Sequence, residues 1–292
     1  MSYPEDLRQM VDDHLETVHF SHGAGPDGAD TTGLDEAMRY SLLAGGKRIR
    51  PVLCLATARA IGQRTGDFLD AAAALEMVHT YSLVHDDLPA MDDDDLRRGK
   101  PTSHVKYGEA VAILAGDGLF AEAIGALSAT QAPADRVLEA VSLLSAATGV
   151  EGMVGGQYID VSAQSLDAEG LQHLHSLKTG RLIRASVEVA LALGGIDGPS
   201  REPYHRFATS IGLLFQIVDD ILDVTGSDEE LGKPHGSDER HGKVTYVSLY
   251  GLERARSLAT ESHEQALAAL AGAGGETEDL RRIADYIYAR EQ

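Results

Sequence analysis

The sequence contains no tryptophan, a single cysteine and nine prolines among its 292 residues. One cysteine excludes an intramolecular disulfide and a zinc site built from cysteines. Cys54 lies in the apolar run VLCLATA, which favours a buried structural role. No proline occurs between Pro133 and Pro199 or after Pro234, so long stretches of the chain are free to form helices.

Positive charge is also scarce, because 25 lysines and arginines stand against 46 acidic residues and give a formal net charge of −21. Nucleic-acid binding requires a basic surface, so we expect no nucleic-acid partner, and any bound phosphate needs a metal as mediator. The N-terminal stretch MSYPEDLRQMVDDH has acids where a signal peptide has basic residues and an apolar core. We further expect no apolar run of membrane-spanning length, which predicts a cytoplasmic protein without stable membrane association.

Apolar residues recur at helical spacing along almost the whole chain, as at Leu75, Val78 and Leu83, and no segment alternates as a strand does. No linker divides the sequence, although residues 21–33 read as a loop. We therefore predict one all-α domain over residues 1–292, a helical bundle. The expected helices are 5–20, 33–44, 48–62, 67–88, 109–130, 134–149, 151–163, 168–194, 201–225, 238–270 and 277–290.

The strongest motif is HDDLPAMDDDDLRRGKPT, from His85 to Thr102, which follows the apolar stretch LEMVHTYSLV. A solvated, frayed helix end is the usual explanation of an acidic run. Here six aspartates fall within residues 86–95, and such crowding is repulsive unless cations neutralise it. Two arginines follow at once. Clustered carboxylates suit Mg²⁺, which keeps some water and shares its coordination shell with phosphate oxygens.

A second acidic motif, FQIVDDILDVTG, runs from Phe215 to Gly226. Asp219 and Asp223 are four residues apart and lie on one helix face, with Asp220 beside them and Gln216 one turn earlier. One such pair is common on exposed helices, but two motifs within apolar helices are not. They predict two helices that face each other across a cavity and offer carboxylates to shared metals.

Basic residues accompany these motifs, and their grouping suggests the capture of an anion. Any one of them alone is as well explained as a surface cation. The cluster favours a binding role for Lys47, Arg50, Arg97 and Arg98, while Arg48, Lys178, Lys233 and Lys243 complete the group. His79 stands two helical turns before Asp86 on the same face, where it either donates to a phosphate or is structural.

These motifs resemble those of trans-prenyltransferases of the polyprenyl synthetase family, in its bacterial farnesyl or geranylgeranyl diphosphate synthase branch. The resemblance also includes GGKRIRP, GDGL, GQYID, LKTGRLIRAS and LGKPHGSDERHGKVTY, so it covers most of the chain. It implies an isoprenoid-synthase bundle with a central cavity, and head-to-tail condensation of isopentenyl diphosphate with an allylic diphosphate. It further implies three Mg²⁺ ions per site, replaceable by Mn²⁺, and a homodimer.

The resemblance also implies roles for individual residues. The isopentenyl diphosphate site would comprise Lys47, Arg50, His79 and Arg98. The surroundings of the allylic diphosphate would comprise Arg97, Lys178, Thr179, Gln216 and Lys233. Asp86, Asp92 and Asp219 would be the principal metal ligands, supported by Asp87, Asp220 and Asp223.

Product length is expected to depend on Tyr81, which lies five residues before Asp86, about 7.5 Å along the helix axis. In the family, an aromatic residue here together with Pro89-Ala90 in the acidic motif accompanies a fifteen-carbon product, which implies farnesyl diphosphate. Geranylgeranyl diphosphate is the alternative if Tyr81 leans aside or if the cavity is deep elsewhere. Simple core packing is the structural alternative for Tyr81.

Two other functions use some of the same residues. A terpene cyclase or head-to-head synthase also ionises prenyl diphosphates, but it needs no isopentenyl diphosphate site, so GGKRIRP and Arg98 argue against it. A non-catalytic subunit of a heteromeric prenyl synthase would have lost ligands, whereas every expected acid and base is present.

Overall fold

A computed structural model describes residues 3–21, 23, 28, 30–162, 166–226 and 244–290. Helices dominate these residues, as the apolar periodicity predicts, and the all-α fold class is confirmed. The helices are α1 Glu5–Thr17, α2 Thr32–Leu42, α3 Ile49–Ala60, α4 Leu69–Asp86, α5 Ser103–Tyr107, α6 Glu109–Ser128, α7 Ala134–Thr148, α8 Met153–Ser162, α9 Ala168–His175, α10 Arg181–Gly194, α11 Glu202–Thr225, α12 Tyr246–Tyr250, α13 Leu252–Leu270 and α14 Glu278–Ala289.

Four details differ from the predicted helices. The short helix α5, Ser103–Tyr107, was not predicted. Leu96–Arg97 and Lys100–Pro101 form a small antiparallel hairpin, too short to show any alternation in sequence. The predicted helix 168–194 contains a π turn, Ser176–Gly180, between α9 and α10. The predicted helix 238–270 is divided at Gly251, which has a φ of 78° that continuous helix does not allow; residues 238–243 lie outside the described part.

Helix α4 lies at the centre of the bundle and carries the first acidic motif at its C-terminal end. It buries residues all round its circumference, from Ala71 to Val78, as expected for a helix with neighbours on every side. The surrounding core extends from Tyr3 to Ile287 and contains Cys54, whose thiol pKa burial raises to about 12. The predicted structural role of Cys54 agrees with this position.

A buried ion pair fixes the start of α3 against α4. The Arg48 guanidinium donates to Glu76 at 2.7 Å and to Asp12 at 2.9 Å, and both Arg48 and Glu76 are almost fully buried. It also donates to the Leu42 carbonyl. Removing one partner of such a pair leaves an uncompensated buried charge. The first turn of α3, which carries Arg50, is therefore held rigidly beside α4.

Two helical stretches, Glu109–Ser128 and Ala134–Ser162, are long and apolar enough to cross a bilayer by length and composition alone. The expectation that no apolar run approaches this length was therefore wrong. In each stretch, 33% of the 18 most apolar consecutive residues are buried. Helices within bundles often meet the same criterion, so it is weak evidence for a membrane. The exposed remainder includes Ile113 and Leu114 on α6.

Candidate active site

The first acidic motif folds back on the end of α4. Asp86 is the last residue of that helix, and its carbonyl accepts the backbone N–H of Asp92 at 2.8 Å. Two further bonds, from Met91 and Asp93 to the Leu88 carbonyl, tighten the loop. Residues six apart in sequence thus become neighbours, which brings Asp86 and Asp92 to one end of the bundle.

Asp87 has a different environment from Asp86. It is buried, and its Oδ1 accepts from Arg97 Nε at 2.7 Å, with Arg97 Nη2 at 2.5 Å. Burial raises the pKa of Asp87, and the guanidinium opposes that shift. Arg97 Nη2 also lies 3.6 Å from Asp94. This pair attaches the hairpin to the end of α4, so Asp87 contributes to the shape of the motif in the described structure.

Arg50 occupies a buried position between the two motifs. Its guanidinium carbon lies 5.9 Å from the centre of the Phe215 ring on α11. Burial lowers its pKa to about 10, while Glu76 and Asp219 act in the opposite direction. Its Nε has no hydrogen-bond partner among the described residues. A buried cationic donor without a partner is what an anion-binding site offers before its ligand arrives.

The Gly45-Gly46 turn brings Arg98 and Lys47 to the same region. Arg98 donates to the Gly45 carbonyl, and a Cβ on Gly46 would lie 2.7 Å from its guanidinium carbon, so a side chain at Gly46 would displace Arg98. The Lys47 ammonium lies 5.3 Å from the centre of the Tyr286 ring. The absence of a side chain at Gly46 therefore leaves room for Arg98 beside the GGKR turn.

His79 on α4 is placed among these cations. Burial lowers its pKa well below 6.5, and the charges of Arg50 and Arg98 lower it further. The imidazole is therefore neutral at pH 7 and offers one N–H donor. The structure thus brings together Arg50, His79 and Arg98 from three separate segments.

The three acids of the second motif differ in exposure. The Asp219 side chain is 52% exposed and lies 3.9 Å from Arg290, whereas Asp220 and Asp223 are buried. Within the described ranges, no three histidine, cysteine or acidic side chains are grouped so as to hold a metal alone. Mg²⁺ characteristically takes one or two carboxylates and completes its shell with water and phosphate oxygens. Separated carboxylates at Asp86, Asp92 and Asp219 fit that requirement.

The π turn presents Lys178 and Thr179. Lys178 Nζ donates to Asp160 Oδ2 on α8 at 2.6 Å, and Thr179 Oγ1 donates to Gln216 Oε1 on α11 at 2.8 Å. Such turns often mark functional sites. Both flanking helices approach the π turn through a glycine. A Cβ on Gly156 would overlap the Lys178 backbone, and one on Gly212 would lie 3.1 Å from the Gly180 Cα.

Tyr81 is half-buried one and a half turns before the first acids. Its ring makes an edge contact with Phe120 on α6 at 5.2 Å between centroids, and another with His85 at 5.7 Å. Burial raises its pKa to about 12, and the nearby Asp86 adds to the shift. The Phe120 ring therefore restricts the orientation of the Tyr81 ring.

Sequence reasoning missed three residues of this region. Asp160 pairs with Lys178, and its only signal was an acid in the quoted motif GQYID. Arg290 lies 5.9 Å from the centre of the Phe215 ring, and Phe120 packs on Tyr81; neither belongs to a recognisable pattern. Lys233, predicted near the allylic diphosphate, and Lys243 lie outside the described residues.

Comparison with known proteins gives consistent results. The sequence model described as "Polyprenyl synthetase" matches residues 31–287. A chloroplastic geranylgeranyl pyrophosphate synthase of Capsicum annuum is 48% identical over 264 residues, covering 88% of this chain and 72% of the relative. The farnesyl diphosphate synthase of Escherichia coli is 43% identical over 302 residues and covers both chains completely.

A solved structure shows the same fold. A geranyltransferase from Helicobacter pylori, complexed with magnesium and isoprenyl diphosphate, has a TM-score of 0.85 at 33% identity, covering 99% of this chain and 98% of that one. The similarities to sequences and structures extend over most of each chain, so the predicted isoprenoid-synthase bundle is confirmed. The chain therefore belongs to the polyprenyl synthetase family of Mg²⁺-dependent trans-prenyltransferases, which act on isoprenoid diphosphates.

Proposed function

We propose that this chain condenses isopentenyl diphosphate head to tail with dimethylallyl and geranyl diphosphates and releases mainly farnesyl diphosphate. The observation that carries the product length is the position of Tyr81. Its half-buried ring lies behind Asp86 and is supported by Phe120. A chain growing from a diphosphate at Asp86 would meet this ring about 7.5 Å along the helix.

The binding roles follow from charge and burial. Lys47, Arg50, His79 and Arg98 would bind isopentenyl diphosphate, because Lys47, Arg50 and Arg98 supply positive charge around the GGKR turn. The neutral His79 would add one N–H donor. Arg97, Lys178 and Lys233 would surround the allylic diphosphate. Mg²⁺ at Asp86, Asp92 and Asp219, with Asp87 and Asp223 in support, would neutralise charge on the departing diphosphate, in three ions as the resemblance implies and replaceable by Mn²⁺.

The remaining residues protect and orient the reacting carbon chain. The Thr179 hydroxyl and the Gln216 carbonyl oxygen would present dipoles to the allylic cation, while the apolar bundle excludes water that would otherwise trap it. The double bond of isopentenyl diphosphate then attacks the cation. A proton leaves, and the released diphosphate is the acceptor that the resemblance implies.

Geranylgeranyl diphosphate is the second candidate product. Plant synthases of this twenty-carbon product are as similar to the chain as the bacterial fifteen-carbon synthase, at 48% and 43% identity. This outcome requires the growing chain to pass Tyr81. A non-catalytic subunit is a less favoured alternative, because the acids of both motifs are present.

Incubation of the purified protein with Mg²⁺, isopentenyl diphosphate and each allylic primer tests the proposal, with the product identified by mass. We expect fifteen carbons from wild type and longer products from Tyr81→Ala. Phe120→Ala should lengthen the product as well, since it removes the support of the tyrosine ring. A folded, active Tyr81→Ala variant that still stops at fifteen carbons would remove the physical basis of the assignment.

We further propose a cytoplasmic homodimer. On α6, exposed Ala110, Ile113, Leu114 and Ala121 recur at helical spacing and form one largely apolar stripe, in which the exposed Asp117 is the charged member. Copies of a chain with a net charge of −21 repel one another, so their contact needs an apolar surface of this kind. A second copy on this stripe also accounts for the low burial of an apolar helix.

A further inference from the structure

Asp220 differs from the metal-facing acids in that its carboxylate is buried and already bonded on both sides. Its Oδ1 accepts from the Gln216 side-chain amide at 2.8 Å. Its Oδ2 accepts the backbone N–H of Tyr246 at 2.7 Å. With 2% of its surface exposed, against 52% for the Asp219 side chain, Asp220 is directed into the protein.

These bonds determine the orientation of Gln216. An ionised carboxylate accepts hydrogen bonds and cannot donate them, so the amide must direct its NH₂ group at Asp220. Its carbonyl oxygen therefore faces the other way, where it accepts the Thr179 hydroxyl at 2.8 Å. Because the Thr179 hydroxyl donates to Gln216, the lone pairs of the Thr179 oxygen point away from that bond.

The other oxygen of Asp220 anchors α12. The first N–H groups of a helix lack partners within the helix, and here Asp220 accepts that of Tyr246. The Tyr246 ring also lies 5.4 Å from the His175 ring at the end of α9. One carboxylate thus connects α11 to α12 on one side and, through Gln216, to the π turn on the other.

We propose that Asp220 is a positioning residue, which orients Gln216 toward Thr179 and anchors α12, and that it does not ligate the metal. This inference rests on the proposed function, in which Thr179 and Gln216 lie around the allylic diphosphate. It assigns Asp220 a role different from the supporting metal ligand that the family resemblance implies.

The first test is Asp220→Asn. It preserves the shape of the side chain but replaces one of the two accepting carboxylate oxygens with an NH₂ donor. Either Gln216 must reverse its amide or the Tyr246 N–H loses its acceptor. We expect kcat to fall about tenfold to hundredfold, the loss typical of a charge-assisted hydrogen bond. The Mg²⁺ concentration for half-maximal rate should stay within twofold of wild type.

Asp219→Asn is the matched control, because the same change at the exposed neighbour should raise that Mg²⁺ concentration about tenfold. A similar rise for Asp220→Asn would show that Asp220 is a metal ligand and would overturn the proposal. An unchanged kcat for Asp220→Asn would overturn it too.

A second test needs no substrate. Combining Gln216→Glu with Asp220→Asn exchanges the carboxylate and the amide, so all three hydrogen bonds can form again, and only the bond between positions 216 and 220 reverses its polarity. We expect each single variant to lower the Tm of the metal-free protein and the double variant to recover at least half of the summed loss. Losses that simply add would contradict the coupling. Because this result is independent of turnover, it separates failure of the inference from failure of the proposed reaction.

Discussion

At the scale of single residues, exposure distinguishes the acids of the two motifs. Asp219 faces open space and Asp86 is half-buried, whereas Asp87 is buried against Arg97. We predict that Asp86→Ala and Asp219→Ala each abolish most turnover and leave the helical fold intact. Removal of crowded negative charge costs little stability in the metal-free protein. Turnover against Mg²⁺ concentration, with circular dichroism as the folding control, measures both effects; near-normal rates at saturating Mg²⁺ would contradict the two-motif site.

His175 gives a pH prediction. Burial lowers its pKa from 6.5 to about 4, with Asp160 opposing the shift and Lys178 adding to it. Between these values the unfolded chain binds a proton that the folded chain excludes, so stability falls as the pH drops below about 6.5. From pH 7.5 to pH 5, the free energy of unfolding should fall by roughly 1–2 kcal/mol more in wild type than in His175→Gln, because glutamine does not titrate. Urea unfolding at both pH values measures this difference, and equal losses would contradict it.

Sequence alone predicted which residue types gather at the site, but not their pairing. Asp86 and Asp219 were recognisable because charge interrupts apolar helices, and Arg98 because it follows the acidic run. The Arg97–Asp87 and Lys178–Asp160 pairs depend on how the hairpin and α8 pack, which spacing does not encode. Arg290 is far from every motif in sequence, so its approach to Asp219 had no signal.

At the scale of elements, glycines determine how closely helices approach the site. Apolar periodicity located most helices, but it did not show the π turn, because its extra residue shifts the apolar face by about 100° at one point only, and each side of that point still has helical spacing. Gly156 and Gly212 admit that turn between α8 and α11. The GQYID motif is therefore explained in part by a close backbone approach.

Gly116 on α6 allows a similar close approach beside the first acidic motif, and this gives a prediction. A Cβ there would overlap the ring of His85, the residue before Asp86, whose Nε2 lies 3.1 Å from the Ile113 carbonyl. Gly116→Ala should therefore cost about 1–3 kcal/mol and reduce turnover by moving the end of α4. Gly125→Ala on the same helix meets nothing within 4 Å and should gain about 0.5–1 kcal/mol. Thermal unfolding and turnover of both variants test the contrast, and equal behaviour would contradict it.

At the scale of the whole molecule, one core connects the first described helix to the last, which supports our proposal of one domain over residues 1–292. The apolar stripe of α6 gives the prediction at this scale. Leu114→Asp should convert the proposed dimer to a monomer in size-exclusion chromatography with light scattering, because it adds repelling charges to an apolar contact. Leu249→Asp on α12, also exposed, is the control and should leave the dimer intact. Equal masses for wild type and Leu114→Asp would exclude this stripe as the interface.

The burial of Cys54 makes it an internal reporter of unfolding. Its side chain is fully enclosed and its pKa is about 12, so both access and ionisation protect the folded protein from thiol reagents. Alkylation can proceed only when the core opens around α3. The labelling rate in native buffer therefore measures the population of open molecules without denaturant. With no second thiol in the sequence, a cysteine introduced at the surface can be labelled selectively for spectroscopy.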